Sequence, residues 1–531
     1  MGTWATNGHP LLTGSAIRSL EARGLAATPE GTLMARAAEA LADACASMLR
    51  TLPARTPVLA LVGPGNNGGD ALLAAIRLSE RGWTAHGLAA LPGRPTAADA
   101  ARARDAWDAR GFAVHGPDDL DVLLGHRPLV IDGLFGIGLA RPLTGHLATI
   151  ARRIADLGLP VVAVDVPSGV DADRGAIVGG PGGIALRADL TVTMLADKPG
   201  LHTGAGAALA GRIVVADLGL PEQGIVPSAF ASPADGPLPA GRLIDESTVA
   251  ALLPPPRARD AHKGRFGDVM VIAGAPAMRG AATLAALGAQ AVGAGRIYVG
   301  VDDPHARADV ERPELMARAL DASVEDGERA LGPATALVVG CGLGRDARAA
   351  RLLAAALGHP AALVLDADGL NGVAADGRLS ERLRARAALG RPSVLTPHPL
   401  EAARLLGVQT ADVQADRIGS AHRLAVATGA CVVLKGAGTV VAFPDGQWSV
   451  NASGGPILSV AGTGDVLAGA IGGLLASGLP AGAAAACGAW LHGAAGDALA
   501  ASPDWGASIG LPASRLVDAL RVVVNRRAAR S

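Results

Sequence analysis

Aromatic residues are scarce in this chain of 531 residues: six Trp, five Phe and one Tyr make up 2% of it. Platforms for single-stranded nucleic acid depend on such rings. Charge of one sign is also missing. The 47 Lys and Arg against 48 Asp and Glu leave a formal net charge of -1, so no global field draws a polyanion. Nucleic acid is therefore not expected as a partner. Cysteine is limited to Cys45, Cys341, Cys431 and Cys487, with no C-x-x-C pair. That excludes a disulfide framework and a thiolate zinc site, and a cytoplasmic setting is expected. The start, MGTWATNGHP, lacks the basic and apolar regions of a signal peptide. A P-loop enzyme is excluded because no G-x-x-x-x-G-K-[ST] occurs anywhere. The longest uncharged stretch, VLAGAIGGLLASGLPAGAAAACGAWLHGAAG, is rich in glycine and interrupted by Pro480. It predicts two small-residue helices packed inside a domain, and no membrane partner.

What the chain does have is alternation. The runs PVLALV, PLVIDG, PVVAVDV, LTVTML and RIVVADL read as buried parallel strands with alanine-rich helical patterns between several of them. A second set, FGDVMVIAG, RIYVGV, ALVVGCG, AALVLDADG, PSVLTPH and CVVLKGAG, follows PEQGIVPSAFASPADGPLPAG, a Pro- and Gly-rich stretch without periodicity. The expected organisation is two α/β domains, 1–222 and 243–531, joined by a linker at 223–242. No long repeat relates the halves, which predicts two different folds. Thr28 is read as the N-cap of a helix with Pro29 at its first position and Leu33, Ala37, Leu41 and Ala44 on one face.

GPGNNGGD, from Gly63, satisfies the dinucleotide pattern G-x-G-x-x-G after a strand and before a helix. A hydride-transfer enzyme should carry an acid about 20 residues on, to bind ribose. The next strand, WTAHGLAALPG, ends without one, which argues against an oxidoreductase. Asn66, Asn67, Gly68, Gly69 and Asp70 still form a turn into a helix N-terminus, a place that favours phosphate. Two further strand ends, DGLFGIGLARPL and DVPSGVDADRG, bring Asp132, Asp165 and Ser168 toward the same edge. The oxygens of Asn67, Asp132 and Ser168 are hard ligands, suited to an alkali or alkaline-earth cation.

These three motifs, with TVTMLADKPGLHTGAG, resemble the NAD(P)H-hydrate epimerase domain over most of residues 11–220, a Rossmann-like parallel sheet layered with helices. The resemblance implies that Asn66, Asn67, Gly68, Gly69 and Asp70, together with Gly136, Ile137, Gly138, Leu139, Ala140, Arg141 and Pro142, bind the hydrated dinucleotide. It also implies Asp165 at the chemistry and K+ held by Asn67, Asp132 and Ser168. Ala71 stands where that family usually has glycine.

In the second half, NASGGPILSVAGTGDVLAGAIGGLL places Gly462, Thr463 and Gly464 at a helix N-terminus as an anion hole, with Asp465 able to take a proton from a hydroxyl. The alternative is an aspartate that only caps the helix. LVVGCGLG, VLDADGLN, VLTPHPLE and VVLKGAGT add further polar strand ends in one sheet. His398 could be a structural turn residue there, and Lys435 a solvated charge.

HKGRFGDV, MRGAATLAA, LDADGLN, TPHPLEAARLLG, LKGAGT and GTGDVLAG resemble the ribokinase-like superfamily and, within it, ADP-dependent NAD(P)H-hydrate dehydratase over roughly residues 243–525. By that resemblance Ala281, Gly344, His398 and Asp465 contact the hydrated dinucleotide. Lys435, Gly436, Ala437, Gly438, Thr439 and Gly464 hold the adenine nucleotide, with ADP as phosphoryl donor and Mg2+ as cofactor. Cys341 replaces the proline of a GPGLG turn, and Ala461 a common glycine. The expected function is repair of hydrated NADH and NADPH by a homo-oligomer acting on small molecules. The rivals are a ribokinase-like small-molecule kinase, which would leave a stable phosphorylated product, and a nucleotide-sensing scaffold without turnover.

Overall fold

The computed structural model describes residues 9–93, 97–220, 240–301, 312–324, 326–503 and 509–528. The chain separates into two compact units between Gly241 and Arg242, with the short strand β1 (His9–Leu12) straddling a second division after His9. Most of the expected linker, up to residue 239, lies outside the described residues.

In the N-terminal unit the apolar runs form β2 (Val58–Val62), β3 (Ala85–Ala89), β4 (Val114–His115), β5 (Leu129–Gly133), β6 (Val161–Val164), β7 (Leu190–Met194) and β8 (Arg212–Ala216). They build one seven-stranded sheet in the order β4-β3-β2-β5-β6-β7-β8, parallel throughout. Every residue of β2, β5 and β6 is buried, as expected for strands covered on both faces. The order reverses between β2 and β5, and that reversal opens a crevice at their carboxyl ends. GPGNNGG leaves β2 and LFGIG leaves β5, so both glycine-rich turns meet there. Gly63 has no room for a side chain: an added Cβ would lie 1.9 Å from the Leu134 carbonyl.

One helix start differs from expectation. The amphipathic helix begins at Thr32, capped by Gly31 with φ 76°. Thr28 instead closes the preceding helix, Gly14–Ala27, where its hydroxyl donates to the Gly24 carbonyl. The Pro-Glu-Gly turn between the two helices, with glycine in the left-handed region, outcompetes the threonine cap.

The C-terminal unit contains β9 (Ala240–Ile244), β10 (Asp268–Ile272), β11 (Arg296–Val301), β12 (Met316–Ala319), β13 (Ala336–Val339), β14 (Ala362–Leu365), β15 (Ser393–Leu395), β16 (Cys431–Leu434), β17 (Val440–Ala442) and β18 (Trp448–Asn451). Their order is β9-β18-β17-β16-β15-β14-β13-β10-β11-β12, parallel except where β17 meets β16 and β18. That antiparallel ribbon, absent from the sequence-based strands, distinguishes this sheet from the first. Here the order reverses between β10 and β13, which again places a crevice at their carboxyl ends.

The two small-residue helices are Thr463–Ala476 and Ala481–Ala500, both largely buried. Among the described residues no helix is long and apolar enough to cross a membrane. Glycine sets the packing of the first against Arg279–Ala291. A Cβ on Gly469 would lie 1.8 Å from the Ala285 carbonyl, and one on Gly288 2.3 Å from that of Val466. This backbone-to-backbone approach fixes where the amino terminus of Thr463–Ala476 points.

Candidate active sites

At the first crevice, a cleft of about 450 Å³ is lined by Asn66, Asn67, Asp70, Gly136, Ile137, Gly138, Leu139 and Asp165 among others. Ala140, Arg141 and Pro142 are exposed and lie outside this lining. Gly68 and Gly69 are buried behind it, where side chains would strike the Gly63 carbonyl and Ala100. Ala71 packs on Gly133, whose missing side chain leaves room for the methyl. Asp70 does not cap its helix, because the cap is Gly65. Its carboxyl is pushed well above the usual range by burial, reinforced by the charges of Asp165, Glu21 and Asp99.

Asp132 and Ser168 meet at the ends of β5 and β6, and Asn67, after β2, bonds the end of β6. Asp132, 0% exposed, accepts from the Ser168 hydroxyl at 2.7 Å and the Ser168 amide at 2.8 Å. Burial raises its carboxyl to about 6, against the lowering effect of these bonds and the Leu134 amide. Asn67 Nδ2 donates to the Val164 carbonyl at 2.8 Å, which leaves Oδ1 as its acceptor. A cation would relieve the buried carboxylate, and the donors are hard oxygens, so the set fits K+.

Asp165 follows β6 with φ 71°, a left-handed conformation rare for a residue with a side chain. Its Oδ1 accepts from the Met194 amide at 3.0 Å and lies 2.7 Å from Lys198 Nζ. Lys198 was not among the sequence candidates. Its only signal was a lone cation beside Asp197 in the loop ADKPG.

At the second crevice, Gly462 (φ 94°) caps the helix that carries Asp465 on its first turn. The Thr463 hydroxyl donates to the Leu458 and Val460 carbonyls, and His492 Nε2–H donates to the Thr463 carbonyl at 2.8 Å. Asp465 is therefore not the cap. Burial, then the charge of Asp366, raises its carboxyl to about 6, with the Cys341 thiol as a hydrogen-bond donor pulling the other way. Cys341 Sγ and one oxygen each of Asp366 and Asp465 lie within 4.8 Å of one another.

Lys435 is not a solvated charge. Its Nζ contacts Asp366 Oδ1 at 2.7 Å, and an added Cβ on Gly464 would sit 3.4 Å from it. Burial lowers its affinity for the proton, but Asp366 and Glu401 outweigh that and raise it. His398 caps the helix Pro399–Leu406: Nδ1 accepts from the Leu400 and Glu401 amides, and Nε2 lies 3.2 Å from Glu401 Oε1. The turn role is real, and the ring remains half exposed.

Ala281 abuts the Cys341–Gly344 turn through Gly342, while the Gly344 amide donates to Asp368. Gly436 (φ 132°) and Gly438 (φ 59°) shape the 435–439 turn. Arg417, missed in the sequence, braces that turn from beneath by donating to the Leu434 and Lys435 carbonyls.

Both crevices thus combine an amide-rich turn with a buried carboxylate. A family model described as YjeF-related protein N-terminus matches residues 30–200, and one described as NAD(P)H-hydrate dehydratase matches 269–520. The chain is 36% identical to the bifunctional NAD(P)H-hydrate repair enzyme of Coxiella burnetii over 84% of its own length and 86% of the relative's. For the enzyme of that name from Mycobacterium tuberculosis the values are 38%, 86% and 87%. The second unit is similar to a Bacillus subtilis ADP/ATP-dependent NAD(P)H-hydrate dehydratase crystallised with ATP and Mg2+, at 30% identity and a TM-score of 0.47, covering 54% of this chain and 98% of that one. The chain belongs to the family of bifunctional NAD(P)H-hydrate repair enzymes.

Proposed function

We propose that the two units, residues 1–222 and 243–531, act in succession on NADH or NADPH that has added water at C6 of the nicotinamide ring. The observation that carries this reading is a carboxylate, buried Asp165 or half-buried Asp465, in the crevice where each sheet reverses its order.

In the first unit the C6 hydroxyl accepts a proton and leaves as water, and the ring nitrogen lone pair forms an iminium. Water returning to the opposite face gives up its proton, interconverting the R and S forms. Asp70, whose carboxyl is pushed upward by burial and by the charges of Asp165, Glu21 and Asp99, supplies the proton. Asp165 accepts it from the returning water, a division of labour between two carboxyls in different surroundings. Asn67, Asp132 and Ser168 would hold K+, whose charge offsets the buried Asp132 carboxylate. Asn66, with Gly136, Ile137, Gly138 and Leu139 on the facing turn, lines the cleft that would take the dinucleotide.

In the second unit Asp465 removes the proton from the S hydroxyl, and its oxygen takes the terminal phosphoryl group of ADP, releasing AMP. The C6–O bond then breaks, phosphate leaves, and loss of a proton from C5 restores the reduced ring. Lys435 and the amides of 436–439 and Gly464 bind the nucleotide. Asp366 is the carboxylate that suits Mg2+, which would neutralise phosphate charge. The Cys341 thiol is not a ligand type that Mg2+ favours.

The test is incubation with R,S-hydrated NADH and ADP, following reduced-nicotinamide absorbance and phosphate. Full recovery with one phosphate per NADH is expected. A stable phosphorylated product identifies a kinase instead, and tight binding without product a scaffold. Expressed separately, 1–222 should epimerise and 240–531 should dehydrate.

A further inference from the structure

An ammonium group taken out of water needs fixed acceptors in place of its hydration. Lys198, on the turn after β7, is 0% exposed. Its Nζ donates to Thr193 Oγ1 at 2.7 Å, to the Met194 carbonyl at 3.0 Å and to the Ala196 carbonyl at 3.1 Å, and it lies 2.7 Å from Asp165 Oδ1. Three protons shared among four acceptors leave none for a substrate, and Lys198 is not part of the cleft lining. The same Oδ1 accepts from the Met194 amide at 3.0 Å and lies 3.4 Å from the Thr193 hydroxyl. Among the described residues, no donor reaches Oδ2. Asp165 meanwhile keeps its left-handed backbone with φ 71°, a conformation that persists where the surroundings enforce it.

We infer that Lys198 is a positioning residue for epimerisation, pinning Oδ1 of Asp165 so that Oδ2 faces the hydrated ring. This rests on the reading of Asp165 as the proton acceptor. Two acids interact with that carboxylate, Asp70 on Asn66–Glu80 and Glu21 on Gly14–Ala27; Asp99 on Ala98–Asp108 acts on both of them, and Arg18 acts on Glu21. Lys198 is the cation in contact with Asp165. It acts through Asp165 and touches no reacting atom.

The test uses the full chain with excess ADP and the R form of hydrated NADH, so that epimerisation limits recovery, with the S form run in parallel at each pH. Lys198→Met removes the ammonium beside a buried carboxylate, which then takes up a proton more readily. The acid limb of the R-form rate should move up by about one to three pH units, while the S-form profile stays in place. Thr193→Val leaves the ammonium present but removes one of its acceptors together with the weak donor at 3.4 Å from Asp165 Oδ1, and should move the limb the same way by less. A folded Lys198→Met chain whose R-form rate falls by one factor at every pH, or does not fall, overturns the inference. If Lys198→Met does not fold, Thr193→Val decides, and an unmoved limb overturns it. Asp165→Asn separates the two levels: unimpaired R-form repair would sink the reading of Asp165 itself. Loss of R-form repair there, with unmoved limbs in the lysine and threonine variants, would sink only the role of Lys198.

Discussion

In the N-terminal unit a buried lysine pairs with the carboxylate assigned to the chemistry, Lys198 with Asp165 at 2.7 Å. In the C-terminal unit the lysine pairs with that carboxylate's neighbour, Lys435 with Asp366, also at 2.7 Å. Among the described residues Asp465 has no ion pair, and its environment is burial, the Asp366 charge, a thiol donor and, as the smallest influence, the charge of Lys435. One unit thus fixes the place of its carboxylate with an ammonium. The other tunes proton affinity by desolvation and a like charge, while its ammonium is left to face a phosphoryl donor. Ion pairing secures geometry, and partial burial sets a base near the working pH.

The sharpest way to break this comparison is Asp465→Asn. The side chain keeps its size but loses the base, so S-form repair should fall by roughly 10² to 10⁴. ADP affinity and melting temperature should change little, because Gly462 supplies the cap. Near-normal turnover at unchanged stability would remove Asp465 from the chemistry.

Asp165→Asn should cut R-form repair to its spontaneous rate and leave the S form untouched. A stoichiometric R,S mixture then recovers only its S fraction within the assay. Equal loss on both forms, in a folded variant, would mean that the two sites are not separate.

A third prediction follows from the raised carboxyl of Asp465, at about 6. Its ionised form is the base, so the S-form rate should be level above that value and fall below it, approaching tenfold per pH unit. A rate unchanged down to pH 5 at constant ADP binding would show that burial does not set the base.

Cys341→Ala should have the smallest effect. The thiol donates to Asp465 and lowers its proton affinity, so its loss should shift the acid limb of S-form repair upward by a few tenths of a unit, with a rate change of about a few-fold. A downward shift would contradict the thiol as donor.

Much of each site was legible because its signals are local. Apolar runs of strand length, glycine turns after them and the order of the strand ends placed Asn67, Asp132, Asp165 and Ser168 at one edge, and the structure gathers them there. The amphipathic helix was legible too, but its start was not. Thr28 and Gly31 both offer a helix boundary, and only the packed turn between two helices selects between them. The β17–β18 ribbon was missed because no helical pattern separates it from β16, and it was the alternation of strand and helix that marked the other strands.

Sequence by itself determined the alternation of strands and helices, the two glycine-rich turns and the identity of the carboxylates, since each depends on residues a few positions apart. Tertiary structure alone decided which charges meet. Asp366 and Lys435 are 69 residues apart, and Lys198 became a clamp only when β6 and β7 were laid side by side. Whether a carboxylate is paired, buried or poised depends on the field and solvent at its final position, and those exist only once distant segments have packed.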